Sequence, residues 1–168
     1  MGKFNRIKNS LIRCFLVSGM LLLVTSLTYS QPRKVPPFQI IQANGKVFLA
    51  GNLPMGKPIV IIYFSPDCEE CHDFTTELLT RIKEFNNASI AMITNMPIEQ
   101  VKQFVSEFQM GKYPNIYIGT EGYSFFVGKY YGVGKLPFVA LHNKNGDLIK
   151  VYNEELSIED LLLNLRGL

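Results

Sequence analysis

The stretch Ile59-Val60-Ile61-Ile62-Tyr63-Phe64-Ser65-Pro66-Asp67-Cys68-Glu69-Glu70-Cys71 decides how the rest of the chain is read. Its apolar run, from Pro58 to Phe64, carries side chains for both faces of a sheet, as a central buried strand requires. Ser65-Pro66-Asp67 is turn-forming. From Cys68 onward Cys71, Phe74, Leu78 and Ile82 recur at helical spacing until Asn86-Asn87. A helix beginning at Cys68 aims its free N–H groups and the positive end of its dipole at the first sulfur. Strand, CxxC turn and helix, in that order, suit thiol redox chemistry.

The remaining cysteine, Cys14, lies in an N-terminal segment that reads as an export signal over residues 1–30. Lys3, Arg6, Lys8 and Arg13 form a basic head, an apolar stretch runs from Cys14 to Leu27, and Thr28-Tyr29-Ser30 offers a cleavage site before Gln31. The apolar stretch is short of the roughly 20 residues of a membrane span. An uncleaved N-terminal anchor is the alternative, and would tether the chain to the membrane. Arg13, where a small residue would be wanted, argues against lipid attachment at Cys14. Both readings put the rest of the chain outside the cytoplasm, in the periplasm.

Cleavage would leave 13 basic and 14 acidic residues, because four of the 17 basic residues and none of the acidic ones precede Gln31. The positive charge of the whole chain is therefore an export feature, and nothing supports a nucleic-acid surface. Residues 31–37 read as a polar, proline-containing linker and 38–168 as one domain, long enough for a proper core. The dithiol would be the only thiol pair in the exported protein. A bridge between Cys68 and Cys71 closes too small a loop to remove much unfolded-chain entropy, which argues against a structural staple.

The rest of the chain alternates strands with helices. Phe38–Ile41 and Lys46–Leu49 form a predicted hairpin around Asn44-Gly45. Ile90–Thr94 is a second buried strand. Pro97 begins a helix whose apolar face is Ile98, Val101, Val105 and Phe108. Asn115–Ile118 is a third strand, and Tyr123–Tyr131 a short helix ended by Gly132. Pro137–Leu141 and Leu148–Tyr152 flank a hairpin signal at Asn145-Gly146. Ser157, with Asp160 three residues on, caps a last helix whose buried face is Ile158, Leu161, Leu162 and Leu165. This order predicts an α/β sandwich, one mixed sheet covered on both sides.

Two segments together resemble the thioredoxin-like superfamily. One is Phe64-Ser65-Pro66-Asp67-Cys68-Glu69-Glu70-Cys71. The other is Tyr131-Gly132-Val133-Gly134-Lys135-Leu136-Pro137-Phe138, followed by Asn143-Lys144-Asn145-Gly146-Asp147. The export signal, the N-terminal hairpin and an inserted helix–strand unit are closer to the exported thiol-disulfide oxidoreductases of the TlpA and ResA type, in the redoxin (AhpC/TSA-like) group. The resemblance implies a three-layer sandwich in which Cys68 attacks a client disulfide and Cys71 resolves the mixed disulfide. It implies that Pro137 is cis, laying the backbone of Leu136 where a substrate strand could pair. It implies no cofactor beyond the redox-active Cys68–Cys71 disulfide and no metal. Its partners would be a membrane thiol-reductant donor and exported client proteins with disulfides, apocytochromes awaiting haem among them.

The chain departs from thioredoxin at several positions. Asp67 stands where tryptophan precedes the first cysteine, and Ile62 where thioredoxin has a buried aspartate, so the proton-transfer partner for Cys71 is unassigned, with Glu69 or Glu70 as candidates. Glu69 and Glu70 replace Gly-Pro. They suit the helix dipole, but their charge beside Cys68 disfavours its thiolate and favours a reducing couple.

Other chemistries use the same residues. Cys68-Glu69-Glu70-Cys71-His72 matches the CxxCH signature for covalent haem attachment, with Met92, Met96 or Met110 as a distal ligand. Cys68, Cys71 and His72 or His142 could bind copper or another metal. A redoxin-type peroxidase is a further reading, without the expected Pro-x-x-x-Thr-x-x-Cys run. The aromatics Tyr113, Tyr117, Tyr123, Phe125, Phe126, Tyr130 and Tyr131 serve either core packing or the border of a groove beside Pro137.

Overall fold

The apolar runs become seven strands: β1 (Gln39–Gln42), β2 (Val47–Leu49), β3 (Ile59–Tyr63), β4 (Ser89–Thr94), β5 (Ile116–Thr120), β6 (Phe138–His142) and β7 (Leu148–Tyr152). The helices are α1 (Glu69–Thr80), α2 (Ile98–Glu107), α3 (Phe126–Tyr131) and α4 (Ile158–Leu165). The computed structural model describes residues 33–152 and 156–168. The expected signal over residues 1–30 therefore lies outside the described residues. Of the expected linker, Val35 donates its N–H to the Gly146 carbonyl, and Lys34 bridges to Asp147.

All seven strands join one mixed sheet in the order β2-β1-β5-β4-β3-β6-β7. Strands β3, β4 and β5 run parallel, and β6 lies antiparallel to β3. The fully buried strand predicted around Ile61 is β3, flanked on both sides. Its alternation divides the core. Val60 and Ile62 face a cluster with Cys71, Phe74, Leu78, Val101, Phe104, Ile158 and Leu161, from α1, α2 and α4. Ile61 and Tyr63 face the opposite cluster with Val127 and Tyr131 of α3, and with Phe38 and Leu53. The three-layer sandwich expected from the sequence is what forms.

Details differ where packing outweighs local pattern. The helix expected to continue through Ile82 stops at Thr80, and a tighter 3₁₀ turn over Ile82–Phe85 follows. That tightening buries Phe85 completely and leaves Ile82 partly exposed. In α2 the centre of the buried face is Val101 and Phe104, with Ile98, Val105 and Phe108 at its edges. Asn44-Gly45 and Asn145-Gly146 each supply one left-handed residue, the glycine, at φ 80° and 78°. A two-residue type I′ turn needs two. The second hairpin instead closes with Gly146 N–H on the Asn143 carbonyl and Asn143 N–H on the Asp147 carbonyl.

Register positions the site. Tyr63, the last residue of β3, lies opposite Phe138, the first of β6, in antiparallel pairing. The chain beyond Tyr63 and the chain before Phe138 therefore leave the sheet side by side. The first carries Cys68 and the second Leu136 and Pro137.

Candidate active site

Ser65-Pro66-Asp67 turns the chain off β3, and the Cys68 N–H closes the turn on the Ser65 carbonyl at 3.2 Å. Cys68 is the N-cap of α1, with extended backbone, and its sulfur accepts the Cys71 N–H at 3.3 Å. A sulfur so placed does what a capping serine oxygen does, and a thiolate does it more strongly because the N–H groups of the first turn are otherwise unpaired. Both cysteines are free thiols; Cys68 is part-exposed and Cys71 fully buried.

The two sulfurs differ in chemistry as well as access. Burial pushes the Cys71 thiol well above its ordinary value, and the neighbouring Cys68 and Glu70 add to this. A backbone hydrogen bond from Ser65 works in the opposite direction. Cys71 is thus held as a protonated thiol behind Cys68. The Cys68 thiol donates a hydrogen bond to Glu70 Oε2 at 3.6 Å. Glu69 is exposed in the same first turn.

The Leu136–Pro137 peptide bond is cis. Leu136 and Pro137 form one wall of a groove of about 310 Å³, with Lys135 beside them and Glu70, Phe74 and Glu77 of α1 opposite. Glu70, which touches the Cys68 sulfur, thus shares this groove with Leu136 and Pro137, and neither cysteine lines it. None of the clustered aromatics lines that groove. Tyr131 packs on Phe138, Tyr117 stacks on Phe48 and Phe125 lies edge-on to Tyr63, so these rings serve packing; Tyr123 is exposed.

Position Ile62 lies in the core cluster with Cys71 and supplies no proton carrier. The buried polar neighbour on the same helix is Thr75, one turn beyond Cys71, whose hydroxyl has no hydrogen-bond partner among the described residues. Nothing in a threonine at helical spacing distinguishes it from a surface one, so sequence reading passed over it.

His142 is fully buried. Its Nδ1–H donates to the Gly146 carbonyl at 3.0 Å, which leaves Nε2 to accept the Tyr131 hydroxyl at 2.7 Å. Both nitrogens are engaged on β6, apart from the cysteines. Burial holds its pKa below the ordinary histidine range, against smaller opposing effects of Gly146 and Asp147. Met92 is a fully buried residue of β4, as its strand position predicted. Among the described residues no group of three His, Cys, Asp or Glu side chains is arranged to hold a metal.

No family model and no curated protein matches the chain by sequence. Solved structures do match it. A secreted disulfide oxidoreductase of Mycobacterium tuberculosis, homologous to E. coli DsbE, superposes with TM-score 0.65 at 18% identity, covering 79% of this chain and 96% of that one. A thiol-disulfide oxidoreductase from Bacteroides fragilis gives 0.65 at 16% identity, covering 80% and 98%. The peroxidoxin BcpB of M. tuberculosis gives 0.68 at 18% identity, covering 82% and 96%. Such identities establish architecture: with its CxxC turn and proline segment meeting at one end of a mixed sheet, the chain has the thioredoxin-like fold.

Proposed function

We propose that this protein is an exported thiol-disulfide oxidoreductase that reduces disulfides in client proteins, with Cys68 as nucleophile and Cys71 as resolving thiol. The observation that carries the reading is the asymmetric dithiol: an accessible sulfur held by the Cys71 N–H, backed by a buried thiol kept protonated. The fold shared with thiol-disulfide oxidoreductases supports it.

The Cys68 thiolate attacks one sulfur of the client disulfide, and the other sulfur leaves as a thiolate that takes up a proton. Cys71 then gives up its proton and attacks the Cys68 sulfur, releasing the second client thiol. Two electrons pass to the client, and the protein is left with a Cys68–Cys71 disulfide. The backbone of Leu136, beside Pro137, offers main-chain pairing to an extended client segment, and the groove at Phe74 receives a flanking side chain. A membrane thiol-reductant donor restores the dithiol. The basic head and apolar stretch of residues 1–30 support export to the periplasm, cleaved or tethered.

The carboxylate of Glu70 at 3.6 Å from Cys68 supports a reductase rather than an oxidant, because it disfavours the thiolate of the reduced form. Equilibration with glutathione checks this direction. A potential near the roughly −120 mV of a strong disulfide-forming oxidase would overturn it.

Expressing Cys71→Ser in the native cell and resolving mixed disulfides on non-reducing gels tests the whole reading. Client adducts that vanish with thiol reductant, and that Cys68→Ser fails to form, are expected. No adduct with Cys71→Ser, together with a Cys68→Ser variant indistinguishable from it, would overturn the enzyme.

A further inference from the structure

His72 follows the CxxC pair, yet the steps above make no use of it. Its ring stands between two acceptors: Nε2 lies 2.7 Å from the carbonyl oxygen of Pro66, and Nδ1 lies 3.3 Å from Glu107 Oε1 at the end of α2. The Nε2–Pro66 contact is a hydrogen bond that a neutral imidazole can make, while Nδ1 stands at ion-pair distance from Glu107, a pair that forms only when the ring is protonated. The imidazolium serves both. The rings of Phe104 and Phe108 meet His72 edge-on, each with centroids 5.2 Å away, and fix the ring plane.

The same residue grips the active-site turn at a second point. Its backbone N–H donates to the Cys68 carbonyl at 3.1 Å, while its ring holds the carbonyl of Pro66, two residues before that cysteine. Pro66 is buried and has no N–H of its own, so its carbonyl is the polar handle by which this part of the turn can be held.

We infer that His72 is a positioning residue for the dithiol: as the imidazolium, tied to Glu107, it clamps the Pro66 carbonyl and adds a positive charge to the turn that carries Cys68. This rests on the oxidoreductase reading. The charged group facing the ring from α2 is Glu107. From the turn it meets the Pro66 carbonyl, and on its own helix Glu69 stands three residues earlier and Asp73 next in sequence. The imidazolium, together with Lys135 of the groove, opposes these carboxylates and favours the Cys68 thiolate. Loss of its proton would break the ion pair with Glu107 and withdraw that charge.

The test uses the full chain with both cysteines. His72→Gln keeps an N–H donor for Pro66 but cannot carry charge; Glu107→Gln keeps the histidine and removes its counter-ion. The rate of Cys68 alkylation by iodoacetamide is measured from pH 5 to 9 on reduced protein. In the wild type an inflection from the histidine should accompany that of the thiol. His72→Gln should abolish the first and slow alkylation at pH 6 about threefold to tenfold. Glu107→Gln should move it to lower pH. A second measurement needs no variant. Coupling between two sites is reciprocal, so the NMR titration of the His72 ring should lie at higher pH in the reduced protein than in the disulfide form.

A single-inflection profile shared by wild type and His72→Gln, or ring titrations that superpose in the two redox states, would overturn the clamp. Both measurements read the thiol and the ring directly. Failure of the wild type to reduce a protein disulfide such as insulin would instead overturn the oxidoreductase reading.

Discussion

The N–H of Cys71 donates to the sulfur of Cys68 at 3.3 Å, so the nucleophile of the proposed reaction is also the N-cap of the helix that carries its partner. One atom thus has a stability role and a chemical role, and substitution can separate them. In the reduced protein, Cys68→Ser should unfold in urea at nearly the wild-type midpoint, because a serine oxygen caps well. Cys68→Ala should lose about 1 kcal/mol, the usual cost of removing a cap. Both variants should be inactive. Equal stability of the two would mean that the sulfur does not cap.

Glu70 bears on the couple through its contact with the Cys68 sulfur. Removing its charge relieves the thiolate, stabilises the reduced form and makes the protein less reducing. Glu70→Gln should raise the potential by roughly 10–30 mV, where about 30 mV is a tenfold change in equilibrium. Glu69→Gln, which removes no hydrogen bond to the Cys68 sulfur among the described residues, should shift it less. Equilibration of each variant with glutathione checks the order, and an unchanged or lowered potential in Glu70→Gln would contradict it.

His142 gives a pH dependence with a definite sign. Burial lowers its pKa in the folded chain, while in the unfolded chain it takes a proton near its ordinary value of about 6.5. Between those values the unfolded state binds more protons. Stability should therefore be full above about pH 6.5 and fall as the pH drops toward the folded-state value. His142→Asn should start lower, having lost the Tyr131 and Gly146 bonds, but show a flatter Tm between pH 7 and 5. A wild-type-like slope in that variant would assign the dependence elsewhere.

Gly119 on β5 is held to glycine by its neighbour strand. A Cβ there would stand 2.6 Å from the Ile41 carbonyl oxygen of β1. Since both atoms belong to paired backbone, relief requires the strands to part. Gly119→Ala should cost about 2 kcal/mol in urea unfolding, within the usual range for overpacking. No loss would show that the β1–β5 pairing yields easily.

Reading the chain in order gave the elements because their signals are local. The apolar run at Ile61, the capping serine at Ser157 and the glycine after Tyr131 act through near neighbours, and each marks the element found there. The stop of α1 at Thr80 was not legible, since it depends on where Phe85 must sit in a core built by distant residues. Phe104, missing from the expected face of α2, shows the same limit: periodicity defines a stripe, and its centre is chosen by what packs against it.

The site divides in the same way. Cys68 and Cys71 stood out by their spacing read together with the strand before them and the helix after them; the spacing alone also fits haem attachment or metal binding. That Glu70 touches Cys68 follows almost as directly. Chain order by itself could not bring Pro137 toward the dithiol, which only the family resemblance anticipated, nor join His72 to Glu107, nor bury His142 under Tyr131. Those meetings follow from the antiparallel register of Tyr63 with Phe138 and from the packing of α2 over the sheet. Contacts between residues far apart in sequence form only when whole elements dock, and docking is set by the summed burial of many side chains.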